Sequence, residues 1–150
     1  MKLTKKLVLK FLPENRLMTL ATYGSYPWIA SVYYGFDKDL KLYFISDVTT
    51  RYGRQILKNK KVAVAIADST QKPDSDKKGY QMFGFAALIR TRKETEKAIE
   101  LWKKNVGIKT EKPDFISVKG RMWKITPKKI KYFNQALFKV DDGHEPILNL

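Results

Sequence analysis

The chain has 150 residues, 43 % of them hydrophobic and 13 % aromatic, which suits one folded domain with a sizeable core and excludes a disordered chain. It has no cysteine and a single histidine, which excludes disulfides, thiolate metal sites, cysteine nucleophiles and multi-histidine metal centres. The formal net charge of +15 is spread along the chain, with +8 over residues 1–66 and +7 over 67–150. That spread fits a lysine-rich surface and leaves room for an anionic small molecule within the same field.

The N-terminus "MKLTKKLVLKFL" starts basic, but Lys10 interrupts its apolar stretch, which is too short for a signal peptide. Nowhere does an apolar run approach the ~20 residues of a membrane span. The sequence therefore reads as a cytoplasmic protein with no membrane partner. Residues 4–12 carry Leu7, Val8, Phe11 and Leu12 at helical spacing, and Pro13 ends the segment. "RLMTLATYG" (16–24) reads as a strand, "SYP" as a turn and "WIASVYYGF" (28–36) as a second strand. Both faces of that second strand are apolar, so it is expected to be covered, in a hairpin with "KLYFIS" (41–46) through "DKD".

A short helix over about 50–58 follows, with Thr49 or Thr50 as its N-cap and Ile56 and Leu57 on its apolar side. "KVAVAIA" (61–67) reads as a fourth strand, 68–79 as a polar loop, and "YQMFGFAALIRT" (80–91) as a fifth strand in which Gly84 marks a bulge or a close backbone approach. "TRKE" (91–94) matches a capping box and opens a helix to about residue 105, with Ala98, Ile99 and Trp102 inward and Gly107 as its stop. Residues 114–126 read as a sixth strand interrupted by Gly120, and 129–133 as a short seventh; the tail from Asn134 shows little pattern. His144 in "DDGHEP" reads as a solvated tail residue. The short connections predict a mainly β single domain over 1–150, a six- to seven-stranded antiparallel barrel with peripheral helices.

The glycine-rich nucleotide loops and the nucleophile elbow are absent, and the paired carboxylates sit in turns. What remains is "SDVTTRYGR". A strand end leading into a helix start offers free backbone N–H groups and a positive dipole end. Ser46, Thr49, Thr50 and Arg51 add hydroxyls and a guanidinium, a set suited to a phosphate. The alternative is that the threonines only cap the helix and Arg51 is solvated. Lys58 lies seven positions beyond Arg51 and contributes less.

The order of these elements resembles the FMN-binding split barrel of the pyridoxamine-phosphate-oxidase-like superfamily. The features are "LMTLAT", "GSYPWIASVYY", "DLKLYFIS", "TTRYGRQILKNKKVAVAI", "GFAALI" and "ITPKKIKYF", over about residues 5–133, with 134–150 as a tail. The resemblance implies an antiparallel split β-barrel and an FMN at a homodimer interface. It assigns Ser46, Thr50 and Arg51 to the flavin phosphate, with Ile45 beside Ser46. It places Ser31, Val32 and Tyr33 along the isoalloxazine ring, and Gln81 and Lys78 as candidates to reach the partner's cofactor. Trp123 reads as a core residue rather than a cover for the ring. The resemblance implies an FMN-dependent oxidoreductase or flavin reductase of unknown substrate. The alternative is a non-catalytic module of the same fold, storing flavin or holding deazaflavin, haem or no cofactor. A nucleic-acid-binding protein is the least favoured reading, since no RNA or DNA motif is present. Vitamin B6 oxidation is not expected, because "WIASVYYGF" has no basic residue, Tyr52 replaces the second basic residue of the helix step, and the C-terminal Arg-x-His signature is missing.

Overall fold

A computed structural model describes residues 1–150. One antiparallel sheet dominates it and curls into a half-barrel. Its strands are β1 (Leu17–Tyr23), β2 (Pro27–Tyr33), β3 (Gly35–Phe36), β4 (Leu42–Ile45), β5 (Lys61–Ala67), β6 (Lys78–Leu88), β7 (Met122–Asn134) and β8 (Ile147–Asn149). Their order is β2-β1-β5-β6-β7-β4-β3, with β8 added along β7. Four helices surround it: α1 (Lys5–Phe11), α2 (Arg51–Lys58), α3 (Arg92–Val106) and α4 (Phe115–Val118). None is long and apolar enough to cross a membrane.

Strict alternation builds the interior. Met18, Leu20 and Thr22 of β1, Val62, Val64 and Ile66 of β5, and Tyr80, Met82 and Ala86 of β6 all point inward and are buried. Thr4 caps α1, whose Val8 and Phe11 enter the core. The Phe11 ring lies parallel to Tyr80 at 6.4 Å and tilted against Tyr132 at 5.2 Å. Trp123 is fully buried and stacks on Phe44 at 5.9 Å, the core role expected of it. A smaller cluster joins Ala98 and Ile99 of α3 to Tyr43, Ile89 and Met122.

Several local expectations hold. Thr91 caps α3 by accepting from the Glu94 amide, and Gly107 closes it at φ 85°. The box is only half formed, because the Glu94 carboxylate instead pairs with Lys124 at 2.7 Å. Gly84 sits at a register shift between β6 and β7, where a Cβ would lie 2.4 Å from the Thr126 carbonyl oxygen.

Other expectations are corrected. The covered second strand is an exposed edge: β2 pairs only with β1, and Trp28, Ile29 and Tyr33 are 42 %, 64 % and 50 % exposed. The expected hairpin between 28–36 and 41–46 survives only as Gly35 and Phe36 against Tyr43 and Leu42. Residues 115–118 are helical, not extended, because Asp114 and Ser117 cap each other reciprocally. The expected sixth and seventh strands are one strand, β7, which runs through Pro127. Proline is tolerated there because it lies opposite Gly84 at the register shift, where the ladder is already broken. The tail is not patternless, since its residues 147–149 pair with Lys129–Lys131.

Gly84→Ala is expected to cost about 1–3 kcal/mol, the range for forcing extra bulk into a packed site, measured by urea unfolding. Unchanged stability would contradict the close approach of β6 to β7.

Candidate functional site

The route from β4 into α2 is fixed atom by atom. The Ser46 amide donates to the Arg121 carbonyl at 2.8 Å, and the Ser46 carbonyl accepts from the Trp123 indole at 2.9 Å. The Ser46 hydroxyl pairs with the Tyr52 hydroxyl. Thr50 is the N-cap of α2: its hydroxyl donates to the Asp47 carbonyl at 2.9 Å and accepts from the Gly53 amide at 3.1 Å. Thr49 donates its amide and hydroxyl to the Asp47 carboxylate at 2.9 and 2.6 Å. Those two bonds, with Arg121 3.2 Å away, hold the Asp47 carboxyl below the usual carboxylate range. The step therefore carries an Asp47–Arg121 ion pair that balances its own charge, and its three hydroxyls have partners within the chain.

The cations of α2 face the other way, toward the turn between β1 and β2. The Arg51 guanidinium lies over the Trp28 ring at 4.7 Å and near the Tyr26 ring at 5.8 Å, and it donates to the Tyr26 hydroxyl. Stacking of this kind orients a guanidinium while leaving most of its five donors free. Gln55 ties the helix to the sheet: its side-chain carbonyl accepts from the buried Thr22 hydroxyl at 2.6 Å, and its amide donates to the Tyr26 carbonyl at 3.2 Å. Between helix and turn lies a groove of about 420 Å³, whose polar wall is Ser25, Tyr26, Arg51, Arg54, Gln55 and Lys58. No carboxylate lines it, and none of its three cations takes part in an ion pair. A groove of this composition can hold an anion through charge-assisted hydrogen bonds, beside exposed aromatic faces.

The remaining expected residues divide between two faces. Ser31 and Tyr33 point outward from β2, whereas Val32 is half-buried against the core. Ser31, Thr19, Ala65 and Gln81 form one cross-strand row on the outer face. Ser31 and Gln81 are three strand spacings apart, roughly 14 Å, so one protomer does not bring them together. Ile45 packs on the α3 cluster, Lys78 pairs with Glu14 at 2.6 Å, and His144 is exposed. Thus the fold gathers Arg51 and Lys58 on the groove and leaves Ser46, Thr49 and Thr50 in the step behind it. Sequence reasoning missed Arg54, Tyr26, Trp28 and Gln55. The spacing of residues 51, 54 and 58 along one side of the helix was the readable signal for Arg54.

Comparison with known proteins agrees with this architecture. The family model described as "Pyridoxamine 5'-phosphate oxidase" matches residues 4–134. Among curated proteins no sequence match is found. Among solved structures, a candidate pyridoxamine 5'-phosphate oxidase from Listeria innocua is similar, with a TM-score of 0.66 at 21 % identity over 86 % of this chain and 97 % of that one. The General Stress Protein 26 of Bacillus anthracis gives 0.66 at 19 % identity over 97 % and 98 % of the two chains. A heme binding protein from Mycobacterium smegmatis gives 0.74 at 15 % identity over 99 % of this chain and 59 % of that chain. These identities speak for the fold alone. With the family model covering everything from the cap of α1 to the end of β7, the chain belongs to the pyridoxamine 5'-phosphate oxidase family.

Proposed function

We propose that the protein is an FMN-binding flavoprotein of oxidoreductase type, working as a homodimer. One observation carries the reading: the groove along α2 has three unpaired cations, no carboxylate, and a guanidinium already stacked on exposed aromatic rings. Such a site fits the phosphate end of an aromatic cofactor. Arg51 would fork the phosphate, with Arg54 and the Ser25 hydroxyl beside it. When bound, the flavin supplies the redox chemistry, and the protein supplies position and electrostatics. The strong net positive charge favours capture of such an anion.

The homodimer is supported by the outer face of the sheet. Leu17, Ile29, Tyr33 and Phe83 stand there at 48 %, 64 %, 50 % and 38 % exposure, around a floor of Ala21, Ala63 and Ala65. Exposed apolar residues gathered on one face, crossed by the polar row of Ser31, Thr19 and Gln81, suit an interaction surface. A second copy presents the same face and can close it symmetrically. Across that closure, Gln81 of one copy would come near Ser31 and Tyr33 of the other, the arrangement that a cofactor shared between protomers requires. For haem, the groove offers no imidazole, since the only histidine is absent from its wall.

The test is a titration followed in the visible spectrum. FMN is expected to bind, and Arg51→Ala to weaken FMN by at least roughly tenfold, as for loss of a charge-assisted hydrogen bond, while riboflavin, which lacks the phosphate, changes little. Equal losses for both ligands would remove Arg51 from the phosphate. Ile29→Lys is expected to turn the dimer into a monomer in sedimentation analysis; a wild-type chain that is itself monomeric at micromolar concentration would overturn the dimer.

A further inference from the structure

Arg51, Arg54 and Lys58 spread three positive charges along one groove with no carboxylate among them. Residues 51 and 58 are two helical turns apart, so they lie nearly in line along the axis, about 10 Å from one another, with residue 54 between them and roughly 60° to one side. One phosphate bound by the stacked Arg51 leaves the Lys58 end of the groove with a cation and no counter-charge. The opposite wall, Gly24 to Tyr26, follows the helix without contributing a carboxylate. Gln55 holds that wall in place through Tyr26, and the cations line the helical side of the groove.

We propose that this groove takes a diphosphate, the linking group of a dinucleotide, with one phosphate at Arg51 and Arg54 and the next toward Lys58. This rests on the proposed anion site and extends it from one charge to two. The diphosphate can belong to the flavin itself, as in FAD, or to a nicotinamide dinucleotide bound beside FMN. The shared chemistry is a pyrophosphate bridge between two aromatic bases, with the partly exposed rings of Tyr26 and Trp28 beside the Arg51 end of the groove. A solvated lysine face would instead favour a ligand only in proportion to its charge, an advantage that added salt removes and that Lys58→Ala barely changes.

The experiment is calorimetric titration of the full-length protein with two ligand pairs, FMN against FAD and AMP against ADP, the second pair also with FMN already bound. The diphosphate member is expected to bind at least roughly tenfold more tightly, the gain typical of one further charge-assisted contact. Lys58→Ala is expected to erase that advantage and to leave FMN affinity within about twofold, as for a residue that the single phosphate does not touch. A preference for FAD over FMN assigns the diphosphate to the flavin; a preference for ADP in the FMN-loaded protein assigns it to a second ligand. Equal affinities within each pair, or a Lys58→Ala loss that is the same for FMN and FAD, would overturn the inference while leaving the flavin reading intact. Absence of any flavin binding, with ADP still favoured over AMP and sensitive to Lys58→Ala, would instead defeat the flavin reading and keep the diphosphate site.

Discussion

The hydrogen bond from the Trp123 indole to the Ser46 carbonyl fixes the route into α2, on which the candidate site of this half-barrel depends. The ring is fully buried and parallel to Phe44, so the donor cannot turn away without opening the core. It pins the first residue after β4 to the start of β7, and the Ser46 amide is pinned to the same segment. From that fixed point the chain has four residues in which to turn and begin α2. Gly53 completes the turn, since a Cβ there would sit 2.8 Å from the Thr50 hydroxyl and 2.9 Å from the Asp47 carbonyl. The direction of α2, and with it the aim of Arg51, Arg54 and Lys58, follows from these contacts.

Electrostatics then separates two neighbouring regions. At the step, Asp47 is kept ionised by Thr49 and Arg121, and the hydroxyls of Ser46, Thr49 and Thr50 are spent on the turn itself. On the groove side the charges are all positive. The unpaired positive charge therefore lies along the helix, whereas the charge at the step is paired. Elsewhere the surface pairs, such as Lys5 with Asp39 and Arg92 with Glu96, are largely exposed and contribute little to stability. The excess charge sets a positive field around the chain rather than holding the fold.

The sequence made legible whatever depends on neighbouring residues. Thr50 and Thr91 as caps, Gly107 as a stop and Gly84 as a close approach are all local signals, and the alternation in β1, β5 and β6 marks the interior directly. The edge position of β2 was not legible, because an apolar strand face reads the same whether a helix covers it or it stays open. α4 was hidden by Phe115, Ile116 and Val118, which favour strands, until Asp114 and Ser117 are seen to close on each other. In the candidate site, Arg51 was readable from its place after the N-cap. Its partners were not: Tyr26 and Trp28 come from the turn and the start of β2, more than twenty positions earlier, and only the pairing of β1 with β2 and the Gln55 tie bring them under the guanidinium.

The measurement that tests the account most directly is a crystal structure of the protein grown with FMN. The account predicts the phosphate within hydrogen-bonding distance of Arg51 and Arg54 in the groove beside Tyr26, with the Ser46–Tyr52 and Thr50–Gly53 contacts intact. A phosphate bound at Ser46 and Thr50, with those contacts broken and the groove along α2 untouched, would contradict it.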